Sequence, residues 1–374
     1  STAFVREKHD EIDWNSRLIA ILGARGTGKT TMILQHIRLY DNTPQTLYVM
    51  ADDFYLTTHR LVDLARQFML QGGKHLYIDE IHKYPNWSKE LKQIYDMHPE
   101  LHIIFTGSSI LDIKQGEADL SRRALMYHMQ GLSFREYMYL FHGIQLPVIT
   151  LEQILANQLP LDVLPHPLPY FREYLRGGYY PFALEQGFAM RVEQVVAQSI
   201  EVDILQYADM KASTARRLRQ LLTIVSSLAP YKPNIDSLSQ EVGVSKNNLP
   251  DYLLYMEKVG LIGLLRDDTM GLRGLGKIEK LYIDNATLMT ILAAGTPDVG
   301  NLRETFFYNQ VRVLHPVKAS RDSDFVIGDY TFEVGGKNKG KRQIEHIPNG
   351  IVVRDDIEIG HANIVPLWAF GLMY

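Results

Sequence analysis

The sequence "RLIAILGARGTGKTTMILQHIRLY" (17–40) decides the fold of the amino-terminal part of the chain. An apolar run leads into a glycine-rich loop, and the loop leads into a segment whose apolar residues recur every three or four positions, as on one face of a helix. Four residues separate Gly23 from Gly28, and Lys29 and Thr30 follow at once. A strand, this glycine pattern and a helix, in that order, predict a phosphate-binding loop.

The predicted loop implies ATP and Mg²⁺ as ligands. Glycines let consecutive backbone N–H groups surround phosphate oxygens, and the start of the helix adds its positive end. We expect Lys29 to reach the β- and γ-phosphates and Thr30 to bind Mg²⁺. The predicted nucleotide-binding residues are Gly23, Ala24, Arg25, Gly26, Thr27, Gly28, Lys29, Thr30 and Thr31. Arg25 and Thr27 are expected to contribute backbone groups, with side chains that carry little of the chemistry. The alternative is an ordinary glycine-rich turn.

Short apolar runs alternate with amphipathic segments over the first third of the chain. The runs at 17–22, 45–51, 74–80, 101–108 and 124–130 are typical of buried strands. The segments between the first four have apolar residues at helical spacing. Strands that alternate with helices predict parallel βαβ units and therefore an α/β sheet.

A pair of acids ends the apolar run "HLYIDE" (75–80). Next to a phosphate loop, Asp79 is expected to hold Mg²⁺, and Glu80 is expected to polarise the attacking water. The alternative is an ordinary strand end, since an apolar run that ends in Asp-Glu is common.

The run "IIFTGSS" (103–109) predicts a polar residue at the end of a neighbouring strand. Ser108, or Thr106 in its place, is expected to contact the γ-phosphate or the water. A strand that enters a Gly-Ser turn explains the same letters.

Two arginines precede the last strand of this region, in "LSRRALMYH" (120–128). Arg122 or Arg123 is expected to supply the positive charge that stabilises a transferring phosphate, from the same chain or from a neighbouring subunit. The alternative is a solvated basic pair.

The downstream sequence predicts a DNA-binding topology. Residues 236–265 give a helix, a turn, a second helix and a strand, and residues 266–283 give a glycine-dotted wing hairpin. DNA contact by the second helix would use Asn247 and Asn248 near its start. This helix is close to charge-neutral, so a packing or protein-contact role is favoured over DNA contact. Pro250 is tolerated because it lies near the helix start.

Composition narrows the class of protein. A chain of 374 residues has the length of two or three domains, and 46% hydrophobic with 22% charged residues is ordinary for a globular protein. A net charge of −4 gives no global attraction to nucleic acid. The absence of cysteine excludes disulfides and thiolate metal sites. With neither a signal-like start nor a long apolar run, the sequence predicts a cytoplasmic protein without membrane association.

Together these motifs resemble the AAA+ class of P-loop ATPases, and more narrowly a prokaryotic group of "ATP-binding proteins". The resemblance rests on "GARGTGKTT", "LYIDEIHKYPNW", "FTGSSILDI", "SRRALMYHMQGLSFREY", "YLRGGYYPF", "LSQEVGVSKNNLPDYLLYMEKVGLI", "KIEKLYIDNATLM" and "DFVIGDYTFEVGGK". It implies Arg123 as the better arginine-finger candidate. It also places the glycine pair Gly177 and Gly178 in a helical lid.

The resemblance implies an α/β P-loop NTPase parallel sheet with a helical lid, a winged helix-turn-helix and a small α/β nuclease-like carboxyl-terminal domain. The expected bounds are 1–131 for the AAA+-like core, 132–212 for the lid, 213–284 for the winged helix and 285–374 for the restriction-endonuclease-like domain. A proline-rich stretch (164–171) is expected to interrupt the lid helices.

The last of these domains is expected to be a degenerate nuclease. Glu304, Asp324 and Glu333 are candidate acids for a Mg²⁺ site, but Gly335 stands where the nuclease pattern requires lysine. Lys337 or Lys339, in the basic loop "GGKNKGKR" (335–342), is the candidate replacement. An inactive remnant is favoured over an active site, and a solvated loop or a phosphate contact also fits the basic residues.

The sequence is therefore compatible with three functions. The first is a Mg²⁺-dependent ATPase that uses ATP to switch the arrangement of its carboxyl-terminal modules. The second is an ATP-regulated DNA-binding protein or nuclease. The third is a non-enzymatic binding module ordered by nucleotide. A protein partner and a homo-oligomer, in which the arginine finger acts across subunits, are compatible with each of them.

Overall fold

The structure is a computed structural model that describes residues 3–114, 120, 122–267, 276–293 and 295–374. The chain forms two compact units, Ser1–Gln130 and Gly131–Tyr374, called here unit 1 and unit 2. The finer division of the chain at residues 212 and 284 stays a sequence prediction. No helix in the described ranges has the length and hydropathy of a bilayer-spanning segment.

Unit 1 is built on a parallel five-stranded sheet with the strand order β2-β3-β4-β1-β5. The strands are β1 Leu18–Leu22, β2 Thr46–Met50, β3 His75–Asp79, β4 His102–Gly107 and β5 Leu125–His128. Every residue of β1 is buried, which suits its continuous apolar sequence. All five predicted strands are present, and the sheet with its glycine loop after β1 confirms the α/β fold of a P-loop NTPase for this unit.

Four α-helices lie in the described residues of unit 1. They are α1 Lys8–Glu11, α2 Lys29–Tyr40, α3 Leu61–Leu70 and α4 Trp87–Met97. The segment around α1 packs on α2 through His9, whose Nε2 lies 3.0 Å from Nδ1 of His36. The ring of Trp14 stacks on His36 with 3.6 Å between centroids. The amino-terminal segment is therefore part of the unit 1 core.

Unit 2 begins with helices and ends with a mixed sheet. Its helices are α5 Phe134–His142, α6 Leu151–Leu155, α7 Pro167–Gly177, α8 Phe188–Gln198, α9 Leu205–Tyr207, α10 Ala212–Leu228, α11 Ile235–Val242, α12 Leu249–Lys258, α13 Ala286–Leu292 and α14 Val299–Val311. A π-helical turn, Ser199–Ile204, joins α8 to α9.

A gap between two helices ends in the proline-rich stretch, since α6 ends at Leu155 and α7 begins inside the stretch, at Pro167. Proline fits the first helical turn, where its missing N–H has no intrahelical partner and its fixed φ is already helical. Pro250 occupies the equivalent position at the start of α12, as expected.

The middle of unit 2 has the predicted order of helices and strands. After α10, α11 and α12 come β6 Ile262–Arg266 and β7 Ile278–Ile283, which pair antiparallel. Tyr231, between α10 and α11, forms a bridge with Leu281 of β7. Residues 268–275 of the predicted wing hairpin lie outside the described residues.

The carboxyl-terminal sheet has the order β12-β11-β10-β9-β8. Its strands are β8 Lys318–Ala319, β9 Phe325–Ile327, β10 Tyr330–Gly335, β11 Gly350–Arg354 and β12 Ile364–Pro366. The pairs β8–β9 and β9–β10 are antiparallel, whereas β10–β11 and β11–β12 are parallel.

One aromatic core joins the first and last parts of unit 2. The ring of Phe171 on α7 lies 5.5 Å from that of Phe134 on α5 and 4.8 Å from that of Phe306 on α14. Phe370, in the final turn, packs on Phe307. Helices predicted as a lid and the segment predicted as a separate carboxyl-terminal domain therefore bury their apolar faces against each other.

Candidate functional site

The glycine loop has a backbone suited to anion binding. Gly26 and Gly28 have φ values of 78° and 96°, in the left-handed region that glycine enters without strain. In the described structure, no side chain accepts a hydrogen bond from the backbone N–H groups at the start of α2. An anion would accept from N–H groups at this position. Gly23 is needed for another reason, because a Cβ there would lie 2.4 Å from the carbonyl oxygen of Met129.

Lys29 and Thr30 face two different sets of oxygen atoms. Lys29 Nζ donates to the carbonyl oxygens of Gly23 and Ala24, at 2.8 Å each. Thr30 Oγ1 donates to Asp79 Oδ2 at 2.7 Å. The structure thus joins the hydroxyl expected to bind Mg²⁺ with the carboxylate expected to support it.

Asp79 is buried and is surrounded by hydroxyl groups. Its carboxylate accepts hydrogen bonds from Thr30, from Tyr48 at 2.8 Å and from Thr106. Burial and the hydrogen bond to Asp79 raise the pKa of the Tyr48 hydroxyl above its usual value, so this group stays a neutral donor. Hydroxyl and carboxylate oxygens are the protein ligands that Mg²⁺ prefers, and the residues present therefore fit this ion.

Glu80 leaves the strand in the left-handed region, with a φ of 53°. Its backbone N–H donates to Thr106 Oγ1 at 2.9 Å. Its carboxylate forms ion pairs with Lys83 and, at 3.5 Å, with Arg25 Nη1. The side chain of Arg25 therefore contacts a predicted catalytic acid, although the sequence analysis expects this side chain to carry little of the chemistry.

Ser108 and Thr106 both lie at the carboxyl end of β4, but they contact different partners. Ser108 is buried, and its Oγ accepts from the backbone N–H of Ile110 at 3.4 Å. Thr106 bonds directly to both acids of the predicted site. Of the two alternatives, Thr106 is thus the one in contact with the acidic pair.

Arg123 lies near the amino end of β5, whereas the glycine loop lies at the carboxyl end of the neighbouring strand β1. It precedes β5, which runs parallel to β1, whereas the loop follows β1. Its guanidinium pairs with Asp96 at 3.1 Å near the end of α4. One strand length, roughly 20 Å, separates it from the loop of its own chain. The finger role of Arg123, within one chain or on a neighbouring subunit, stays a prediction beside the alternative of a solvated basic pair. The alternative residue, Arg122, is exposed at the same end of β5.

Arg6 is a site residue that the sequence analysis missed. Its side chain is buried, Nη1 donates to the carbonyl oxygen of Thr27 at 2.6 Å, and Nη2 donates to that of Gln130 at 2.7 Å. One guanidinium thus holds the phosphate loop and the last residue of unit 1. No spacing rule links an arginine to a loop 21 residues further along the chain.

In unit 2 the predicted nuclease acids lie near two lysines. Lys280 Nζ contacts Glu304 at 2.9 Å and Asp324 at 3.8 Å, between the two carboxylates. Tyr282 also donates to Glu304, at 2.9 Å. Burial and the nearby Glu304 raise the pKa of Asp324 to about 7. The ammonium of Lys280 thus lies where a divalent cation would contact these two acids.

The third acid, Glu333, pairs with Lys339 and accepts a hydrogen bond from Ser323. A Cβ at Gly335 would lie 2.5–2.8 Å from the side chain of Lys339, so the lysine stem fills the space that glycine leaves. Of the two candidate lysines, Lys337 is exposed, and Lys339 is the one that contacts the acid. Within the described ranges, no group of three or more His, Cys, Asp or Glu side chains has the arrangement of a metal site.

The second helix of the predicted helix-turn-helix is largely covered. Tyr255 of α12 packs its ring on Tyr207, with 5.8 Å between centroids, and Glu257 accepts from the backbone N–H of Leu264 at 2.9 Å. Burial raises the pKa of this glutamate. Only the start of the helix, including Asn247 and Asn248, is well exposed.

Two family descriptions match parts of the chain. Residues 15–138 match an AAA domain family, and residues 168–298 match a domain of unknown function, DUF8612. The AAA match covers the sheet of unit 1 together with the glycine loop and the acidic pair. It agrees with the predicted AAA+-type ATPase core and leaves the assignments in unit 2 open.

A curated relative is the uncharacterized protein MJ1637 of Methanocaldococcus jannaschii, 29% identical over 280 residues. The match covers 69% of this chain and 59% of that protein, so the chain spans little more than half the length of the relative.

The solved structures that match this chain have low sequence identity and low TM-scores. AMPPCP-bound DnaA from Aquifex aeolicus is 14% identical with a TM-score of 0.26, over 67% of this chain and 84% of that one. The Hsp104–ADP complex of S. cerevisiae is 18% identical with a TM-score of 0.30, over 68% and 37%. Values this low do not establish a common fold over the aligned length.

Proposed function

We propose that unit 1 binds and hydrolyses ATP with Mg²⁺. The observation that carries the proposal is the hydrogen bond from Thr30 to the buried Asp79, beside a glycine loop that also presents Lys29. A loop alone is a common turn, but a loop hydroxyl held by an acid at the end of β3 is the arrangement that Mg²⁺-dependent phosphoryl transfer requires. The AAA domain match over residues 15–138 supports the same function.

Binding exchanges neutral oxygens for charged ones. Lys29 Nζ leaves the carbonyl oxygens of Gly23 and Ala24 for phosphate oxygens, which bind an ammonium more strongly. Thr30 and Asp79 would hold Mg²⁺, which supplies positive charge to the phosphates. Glu80 orients the attacking water once its carboxylate is released from Arg25 or Lys83. Thr106 keeps both acids in register through its single hydroxyl, with Ser108 beside it.

Arg123 acts on the nucleotide of a neighbouring subunit in this proposal, because its own loop is a strand length away. The proposal therefore includes a homo-oligomer. Its support is the placement of the guanidinium at the amino edge of the sheet, against Asp96 and the ring of Tyr95.

The test is phosphate release by the full chain with ATP and Mg²⁺. Lys29→Ala is expected to lower the rate about 100-fold or more and to weaken ATP binding, because it removes a charge made for the phosphates. Glu80→Gln is expected to lower the rate about 100-fold with ATP binding retained.

The matched control is Lys341→Ala, at an exposed lysine of unit 2, which should hydrolyse like the unchanged chain. Normal hydrolysis by Glu80→Gln would contradict the role of the water-orienting acid. Absent turnover with tightly retained ADP would instead favour the non-enzymatic, nucleotide-ordered module.

For unit 2 we propose that ATP turnover changes the arrangement of a winged-helix-like part and an inactive nuclease-like part. The order of α10 to β7 and the mixed sheet support these two assignments. Inactivity is supported by Lys280 and Lys339, whose ammonium groups pair with the three acids. Because α12 is largely covered, DNA reading by its face is the weaker alternative. The cytoplasmic location stays a prediction.

A further inference from the structure

One exposed helix face in unit 2 concentrates positive charge. The whole chain has 43 acidic residues, yet none occurs between Met210 and Ile235. The same stretch contains five cations, namely Lys211, Arg216, Arg217, Arg219 and Lys232. The three arginines among them lie on α10, within its first two and a half turns. In a chain with a net charge of −4, this helix is a local exception.

Packing fixes which side of α10 faces solvent. Its buried residues are Ala215, Leu218, Leu221, Leu222 and Val225. The opposite side presents Ser213, Arg216, Arg217 and Gln220, all exposed and spaced as on one helix face. The backbone span from Ser213 to Gln220 is about 10 Å. We call these four residues the α10 arginine face.

The described residues do not neutralise the charges of this face. Arg219, at its border, pairs with Glu201. In the part of the chain that the structure describes, no carboxylate forms an ion pair with Arg216 or Arg217. Neither packing nor pairing explains two guanidinium groups at this place, whereas an external anion does.

The chemistry of the face selects a polyanion with regularly spaced phosphates. Guanidinium groups match phosphate oxygens in a two-pronged geometry, and the face carries donors but no carboxylate to repel them. Helix α10 precedes the pair α11 and α12 of the predicted helix-turn-helix and contacts α11, where Gln220 Nε2 donates to the carbonyl oxygen of Glu241 at 2.9 Å. The exposed start of α12 offers Lys246, Asn247 and Asn248 as further donors.

We propose that the α10 arginine face binds the phosphate backbone of nucleic acid, without base readout by the covered α12. Arg216 and Arg217 each contact one phosphate. Binding is therefore independent of sequence and falls with salt, because each contact releases condensed counterions. This proposal does not rest on ATP hydrolysis, and its test contains no ATP, so either proposal can fail without the other.

The experiment is fluorescence anisotropy of the full chain with a labelled 25-base-pair DNA duplex, single-stranded DNA and an RNA duplex, from 50 to 200 mM salt. We expect binding of at least one of these probes. For that probe, Arg216→Gln/Arg217→Gln should weaken binding 10-fold or more and lower the slope of log K against log salt by about 2. The single variants should each lower it by about 1, and they keep the test open if the double variant folds poorly.

The matched control is Arg38→Gln/Arg66→Gln, which removes two exposed arginines of unit 1 and the same charge. It should bind like the unchanged chain, and Arg216→Lys/Arg217→Lys should retain most of the affinity. Failure of the unchanged chain to bind any of the probes at 50 mM salt would overturn the proposal. So would unchanged binding by the double glutamine variant, or binding of a polyglutamate peptide in preference to every nucleic acid.

Discussion

Buried carboxylates occur in both units, but they meet different donors. Asp79 in unit 1 accepts from three hydroxyl groups, which are neutral and can turn toward a new partner. In unit 2, Glu304 and Asp324 share the ammonium of Lys280, and Glu333 holds that of Lys339. A carboxylate that accepts only from neutral hydroxyls keeps a negative charge that can bind a divalent cation. The charge of a carboxylate paired with an ammonium is already neutralised.

The same substitution at one acid of each group gives the largest expected difference. Asp79→Asn should lower Mg²⁺-dependent ATP hydrolysis about 100-fold or more, since the magnesium support is lost. Asp324→Asn should leave the rate unchanged, because this acid holds no metal. Phosphate release at several Mg²⁺ concentrations measures both.

Circular dichroism of both variants controls for folding. The comparison would be broken by a plasmid-cleaving activity of the unchanged chain with Mg²⁺ or Mn²⁺ that Asp324→Asn or Glu333→Ala removes. That result would make the acids of unit 2 a working metal site.

The second difference concerns stability. Lys339→Met leaves Glu333, whose side chain is 3% exposed, without its cation, and should cost about 3 kcal/mol of unfolding free energy. Lys83→Met removes a cation from Glu80, whose side chain is 24% exposed, and should cost less than about 1 kcal/mol. Urea denaturation of the full chain measures the unfolding free energy of both variants. Equal losses would contradict the expected difference between the buried Glu333 and the more exposed Glu80.

The third and smallest difference is an opposite response of the units to pH. Burial, with His9 nearby, lowers the pKa of His36 from 6.5 to about 4, so its contribution to unit 1 is present above pH 6.5 and lost as pH falls toward 4. Asp324 has a raised pKa of about 7, so its contribution to unit 2 is full below pH 4 and lost as pH rises through 7. Each effect is on the order of 1–3 kcal/mol.

Hydrogen exchange read separately in the two units, at pH 5 and pH 8, measures these responses. Unit 1 should be better protected at pH 8 and unit 2 at pH 5, after correction for the intrinsic exchange rate. His36→Gln should flatten only the first profile and Asp324→Asn only the second. Parallel profiles in both units would rule out the assigned groups.

Local patterns predicted the fold well because they act over short distances in sequence. The five strands of unit 1, the glycine loop and the acids after β3 each follow from spacing within about ten residues. The residue at which α7 begins, Pro167, could not be predicted from the sequence, because proline both ends helices and begins them.

Contacts between distant residues could not be predicted in this way. Lys280 contacts Glu304, which lies 24 residues further along the chain, and no spacing pattern in the sequence predicts this pair. Lys339 reaches Glu333 only because Gly335 leaves space for its stem. Arg25 was expected to act through its backbone, since a loop pattern says nothing of an acid 55 residues away.

The two bonds of Arg6 have a mechanical consequence. Its guanidinium is planar and stiff, and it spans the carbonyl oxygens of Thr27 and Gln130. A displacement of the phosphate loop at Thr27 must therefore be shared by Gln130 or must break one of the bonds. Gln130 is the residue from which the chain leaves unit 1. The position of the phosphate loop is thus coupled, through the side chain of Arg6, to the position of the last residue of unit 1.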